Sequence, residues 1–201
     1  MIWLLGLQLS FARPSPEEIL QSVDQNLSYQ NRSASVTMTV QTIRRNKVYQ
    51  MNSVTLNRET AIEFQAPARD SGTKMLKKGT QLWVYLPNIE KVQRISGHML
   101  EQGLMGSSVS YQDLMEVAEL SKIYRVTELK EVIYENRPCY QLHLEAISAS
   151  TVYQQRVSWI DQELLIPHKE EYYAVSGTLL KTMEMTAYQS IEGRNTPTKL
   201  I

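Results

Sequence analysis

From Ser33 onward the chain alternates. Ala34, Val36, Met38 and Val40 fall on one side, and Ser35, Thr37, Thr39 and Gln41 fall on the other. That period of two belongs to an antiparallel strand with one solvated face. It predicts further strands over 48–56, 60–66, 73–77, 81–86, 123–132, 138–147, 152–160, 165–174 and 178–188. Turn residues separate them: Arg44 to Lys47, Lys78-Gly79, Glu135-Asn136, Asp161-Gln162 and Ser176-Gly177. Ahead of the strands, Ser15-Pro16-Glu17-Glu18 reads as a helix start, with Ser15 as N-cap, Pro16 in the first helical position and Glu18 closing a capping box. Ile19, Leu20, Val23 and Leu27 then share one face, so an amphipathic helix runs to about Leu27. Between Ser96 and Tyr111 the period is lost in Gly-, Ser- and Met-rich sequence, and a second helix is expected over 111–120.

The hairpin over 73–86 can be registered by residue. With a tight turn at Lys78-Gly79, Lys77 faces Thr80, Met75 faces Leu82 and Lys74 faces Trp83. One face then carries Met75, Leu82, Val84 and Leu86, and the other carries Lys74, Leu76, Trp83 and Tyr85. A strand apolar on both faces is covered on both sides or lines a cavity. The expected fold is mainly β, a curved antiparallel sheet forming an incomplete β-barrel, with helices over its open side.

Charge and chemistry narrow the function. The chain has 21 basic and 21 acidic residues in 201, so the electrostatic footprint of a nucleic-acid binder is absent. The single cysteine, Cys139, excludes an internal disulfide framework and reads as a structural thiol in a strand. His98, His143 and His168 are dispersed, without metal-ligand spacing, and no metal or cofactor is expected. Asp70-Ser71-Gly72-Thr73 matches the catalytic turn of retroviral-type aspartic proteases. Ala66-Pro67-Ala68-Arg69 precedes it in place of an apolar strand, and no second copy exists to share a proton. Asp70 is therefore expected in a polar turn, and the protein is expected not to be an enzyme. Met1 to Ala12 is apolar and ends in Ser10-Phe11-Ala12, the small-residue pattern of a signal-peptide cleavage site. Residues 1–12 are expected to be such a leader, truncated upstream, and 13–201 a single domain in the periplasm.

One stretch carries a resemblance. Gly72-Thr73-Lys74, Leu82-Trp83-Val84-Tyr85-Leu86-Pro87, Arg94-Ile95 and Met105-Gly106-Ser107 followed by Ser110-Tyr111 resemble the outer membrane lipoprotein-sorting protein family, the LolA-like group with its treponemal relatives. Weaker matches follow at Trp159-Ile160-Asp161 before Pro167, and at Tyr188 to Gly193 before Pro197-Thr198-Lys199. Ser108 stands where the family has an aspartate, and the chain stops at Ile201 where the family continues into further strands. The resemblance implies a monomeric carrier that takes lipid or the acyl chains of a lipoprotein into an apolar interior. Met75, Leu82, Val84 and Leu86 would line that cavity, and Met99, Leu100, Leu104 and Met105 would form an adaptable lid. An inner-membrane transporter is the further partner implied. The alternative is an envelope adaptor that binds such a transporter and carries no lipid.

Overall fold

The computed structural model describes residues 13–44, 46–115 and 119–201, without the side chain of Met115. The leader expected over 1–12, Arg45 of the first hairpin tip and residues 116–118 of the second expected helix lie outside the described residues. Helix α1 (Pro16–Leu27) opens the described chain, and its capping box forms as the sequence specifies. The Ser15 backbone N–H donates to Glu18 Oε2 at 2.7 Å, and the Glu18 N–H donates to Ser15 Oγ at 3.2 Å.

Six strands follow: β1 (Asn31–Gln41), β2 (Asn46–Leu56), β3 (Glu59–Ala66), β4 (Lys74–Lys78), β5 (Gln81–Leu86) and β6 (Lys91–Ile95). After two short helices, α2 (Tyr111–Met115) and α3 (Leu120–Ile123), come six more: β7 (Tyr124–Tyr134), β8 (Arg137–Ala146), β9 (Gln155–Asp161), β10 (Pro167–Tyr173), β11 (Leu179–Ile191) and β12 (Arg194–Leu200). The fold is mostly β and is not closed into a barrel. It is built from two antiparallel six-stranded meanders, β1 to β6 and β7 to β12, rather than one continuous sheet. The break falls in the segment between β6 and β7, where the strand period is lost. β6 and β12 escape the periodicity for one reason. Both are edge strands rich in charge and polar residues, and β12 contains Pro197, which a central strand would not accept.

The hairpin of β4 and β5 corrects the expected register. Lys78 pairs with Gln81, so the two-residue loop is Gly79-Thr80 and not Lys78-Gly79. Gly79 has φ +56°, and a two-residue hairpin turn with positive φ at its first position favours glycine there. Met75 therefore faces Val84, Lys77 faces Leu82 and Lys74 faces Tyr85. The displacement is by two residues, an even number, so each side chain keeps its expected face. Met75, Leu82 and Val84 are buried on the inner face, while Lys74 and Leu76 are exposed on the outer one.

Two apolar clusters fill the space between the sheets. The first joins Tyr49, Phe64, Met75, Leu82, Val84 and Ile95 of the first sheet to Leu104. In the second, Ile19, Leu20 and Val23 of α1 pack on Leu142, Leu144 and Ile160 of the second sheet. Asp24, on the same helix, holds α3. Its carboxylate accepts the Leu120 N–H at 2.7 Å, the Ser121 N–H at 3.0 Å and the Ser121 hydroxyl at 2.6 Å. The second expected helix thus gives way to two short pieces, the later of which is capped by a side chain from 96 residues earlier. Asp24→Ala should lower unfolding stability by about 1–2 kcal/mol, the cost of losing a capping carboxylate. Urea denaturation of the two proteins side by side, with Asp24→Asn as a partial replacement, measures it.

Candidate functional site

The inner faces of the two sheets enclose a cavity of about 450 Å³, within the ~300–1,000 Å³ usual for small-molecule sites. Inward positions of the first sheet supply Val36, Met51, Ile62, Met75 and Leu82. The second sheet adds Met183, Met185 and Leu200, and α1 adds Leu27. The segment between the sheets closes a further side with Leu104, Val109, Leu114 and Leu120. Four of these side chains are methionines, whose flexible thioethers adapt to irregular apolar partners.

The closing segment is tied by its own backbone. Leu104 N–H donates to the Val109 carbonyl at 2.7 Å and Tyr111 N–H to the Gln102 carbonyl at 3.0 Å, with a bridge between Gly103 and Ser110. Gly103 is required by this closure, because a Cβ there would lie 2.0 Å from the Ser107 carbonyl oxygen.

The second-sheet wall is polar as well as apolar. Arg156 donates from Nη2 to Glu170 Oε1 and to the Tyr172 hydroxyl, both at 2.9 Å, and Tyr172 donates to Glu170 Oε2 at 2.8 Å. The guanidinium also lies over the rings of Tyr124 and Tyr172, 5.2 and 4.4 Å from their centroids. Arg156 and Glu170 are each about 4% exposed. Burial, together with the Glu170 charge, pushes the Tyr172 phenol well above its ordinary range. A second pair closes the same wall. Lys181 Nζ donates to both carboxylate oxygens of Asp113 at 2.5 Å and to the Tyr153 hydroxyl at 2.9 Å, while Ser110 N–H caps Asp113 at 2.7 Å. The acidic groups of the cavity wall among the described residues, Asp113 and Glu170, are thus both committed to cations.

The residues singled out from the sequence divide. Met75 and Leu82 line the cavity, as does Leu104. Val84 is buried beside them in the first cluster, and Leu86, Met99, Leu100 and Met105 pack half-buried against that cluster without reaching the cavity. Sequence reasoning missed Lys77, Arg156, Glu170 and the second-sheet methionines. The signal was available in parity: Lys181, Met183 and Met185 alternate, as do Glu170 and Tyr172, but charges at inward positions do not register as a buried face. Asp70 sits in a turn, its N–H donating to the Pro67 carbonyl at 2.9 Å and its carbonyl accepting from Thr73 at 3.2 Å. Cys139 is fully buried in β8. His143 stands 3.6 Å from Glu128, and His168 bonds Asp161 at 2.8 Å and the Tyr188 hydroxyl at 2.6 Å, away from the cavity. No group of three or more His, Cys, Asp or Glu residues suited to a metal ion occurs among the described residues. No helix among them is long and apolar enough to cross a membrane.

The model of a family described as "-like: Uncharacterized protein" matches residues 56–201. Three solved structures share the fold. A DUF1329 family protein from Desulfovibrio piger has a TM-score of 0.82 and 22% identity, over 92% of this chain and 82% of that one. A domain assigned to outer membrane lipoprotein sorting from Vibrio parahaemolyticus has a TM-score of 0.82 and 23% identity, over 92% of this chain and 83% of that one. A LolA superfamily protein from Nitrosomonas europaea has a TM-score of 0.77 and 26% identity, over 94% and 84%. No curated protein matches. The resemblance to LolA-like proteins read from the sequence holds in the fold.

The buried pair in the wall makes a stability prediction. Arg156→Met strands the Glu170 carboxylate and should cost about 3–5 kcal/mol. The double variant Arg156→Met/Glu170→Met removes both charges and should recover at least half of that loss. Chemical denaturation of the single and double variants reads the difference.

Proposed function

The chain belongs to the family whose model matches residues 56–201, and from that premise and its LolA-like fold we propose that it is a periplasmic carrier that holds a lipid or lipoprotein acyl chain between its two sheets. The observation that carries this reading is the cavity itself, walled by aliphatic and methionine side chains from both sheets, α1 and the closing segment. Apolar surface facing an enclosed space gains most from an apolar guest, at about 25 cal/mol per Å² removed from water. A structural neighbour assigned to lipoprotein sorting supports the same function.

In this reading Met75, Leu82 and Leu104 touch the acyl chain. Val84, Leu86, Met99, Leu100 and Met105 lie behind them and set the shape of the wall and of the lid. The polar wall has a separate task, since Asp113 and Lys181 tie the closing segment to the second sheet. Binding is non-covalent and needs no catalytic group. Export precedes function, and the apolar stretch 1–12 is the leader that directs it.

The comparison that tests the carrier is Leu82→Glu against Tyr85→Gln, with Ile62→Trp as a variant that fills the space without adding charge. Leu82 and Ile62 line the cavity, whereas Tyr85 lies on the outer face. A carboxylate buried among apolar walls is strongly unfavourable, so Leu82→Glu and Ile62→Trp should each weaken a fluorescent acyl probe at least tenfold. Tyr85→Gln should stay within about twofold. Circular dichroism establishes that the variants are folded, and equal binding in all of them would refute the carrier.

A further inference from the structure

The first-sheet side of the cavity holds two cations, Arg32, exposed at its rim and lying 5.4 Å from the centroid of the Tyr29 ring, and Lys77, which is buried and of a different kind from the charges opposite. Lys77 is only 8% exposed, lines the cavity and makes no ion pair or side-chain hydrogen bond among the described residues. Its place follows from register. Lys77 points inward from β4, with Thr60 of β3 and Leu82 of β5 directly across from it. Had the turn been Lys78-Gly79, Lys77 would have ended the hairpin. The Gly79-Thr80 loop draws it one pair further into the sheet.

Buried ammonium groups are costly unless paired. Desolvation lowers the Lys77 pKa from its ordinary value, and the charge of Glu119 acts in the opposite direction. Glu119 is itself engaged by Arg58 at 2.9 Å and Lys122 at 2.8 Å. The other acids facing the cavity, Asp113 and Glu170, are held by Lys181 and Arg156. No carboxylate in the described wall is left for Lys77. Around it stand hydroxyls: Thr60 and Thr55 both line the cavity, their oxygens 3.0 Å apart. An ammonium with two hydroxyls beside it donates to an oxyanion and has little to offer a cation.

We infer that Lys77, with Thr55 and Thr60, binds the anionic head of an acyl ligand whose chain lies along Met75, Leu82 and Leu104. The inference rests on the carrier reading and narrows its cargo to amphiphiles ending in an oxyanion, a carboxylate or a phosphate. The head restores to the ammonium the counter-charge that the described wall does not supply, and the chain occupies the space that the methionines leave. The ligand is thereby oriented, with its head at the β3–β4 side of the first sheet and its tail toward the closing segment.

The test titrates the full chain with oleate, 1-oleoyl lysophosphatidate and oleyl alcohol, which share a chain and differ in head. Wild-type protein should bind at least one of the two anions about tenfold or more tighter than the alcohol. Tighter binding of oleate assigns a fatty acid, and tighter binding of lysophosphatidate assigns a phospholipid-type head. Lys77→Met should bring the three ligands to within about twofold of one another, and Lys77→Arg should keep the preference, with circular dichroism verifying both folds. Equal affinity of the wild type for alcohol and anions overturns the inference without recourse to a variant and leaves the carrier standing. A preference that survives Lys77→Met in a folded protein overturns it as well. Failure of the wild type to bind any of the three refutes the carrier reading and this inference with it.

Discussion

Two sheets that each present an apolar inner face must have the gap between them filled, and in this protein α1 fills half of it. Ile19, Leu20 and Val23, each 1–2% exposed, close the space over β7, β8 and β9 against Leu142, Leu144 and Ile160. The helix also keeps the other half open. Its last residues reach the cavity through Leu27, Asp24 caps α3, and Asn26 Nδ2 bonds the Leu164 and Leu165 carbonyls at 3.2 and 3.0 Å. A helix pinned at those points cannot slide over β9 to β11, and the space beside it remains available to a guest. The sheets supply the walls, and the helix sets the width of what lies between them.

The charges in those walls answer to the same constraint. Unpaired ions in an apolar wall are costly, and the second sheet avoids this by neutralising its charges in place. Arg156 is bonded to Glu170 and Tyr172 and flanked by two aromatic rings, so little of its charge reaches the space in front of it. Lys181 is likewise held by Asp113 and lies over the rings of Tyr153 and Tyr172. Against that background the lysine on the opposite wall acquires its significance. The two sides of the cavity differ in electrostatic completeness, and the asymmetry gives the cavity a direction.

Much of this architecture is legible in the sequence, for reasons that particular residues show. Strands β1 and β8 alternate cleanly because one face meets apolar neighbours. The capping box at Ser15 is visible because both members of it lie within four residues. The faces of the β4–β5 hairpin are legible although its register is not, since a displacement of two residues returns every side chain to its own side. What escapes the sequence depends on partners distant along the chain. Glu170 and Arg156 read as surface charges until β9 and β10 bring them together, and the capping of Leu120 by Asp24 has no local sign. The split into two meanders is similarly hidden, because nothing in β6 or β7 announces that they will not pair. Val84 and Leu86 share a face with Leu82, yet alternation cannot say how far along a strand a cavity extends.

The order of the strands bears on how the molecule comes into being. Every strand pairs with its neighbour in sequence, β1 through β6 and then β7 through β12, so each sheet is assembled from short-range contacts and can form without waiting for the other. Helix α1 is the exception. It precedes the first sheet and belongs to the second, packing on residues more than a hundred positions away. A chain emerging from its amino end therefore completes β1 to β6 with the helix still undocked and the inner face of that sheet uncovered. The apolar inner surface of that sheet is exposed throughout that interval, and the helix that precedes it waits for strands made later.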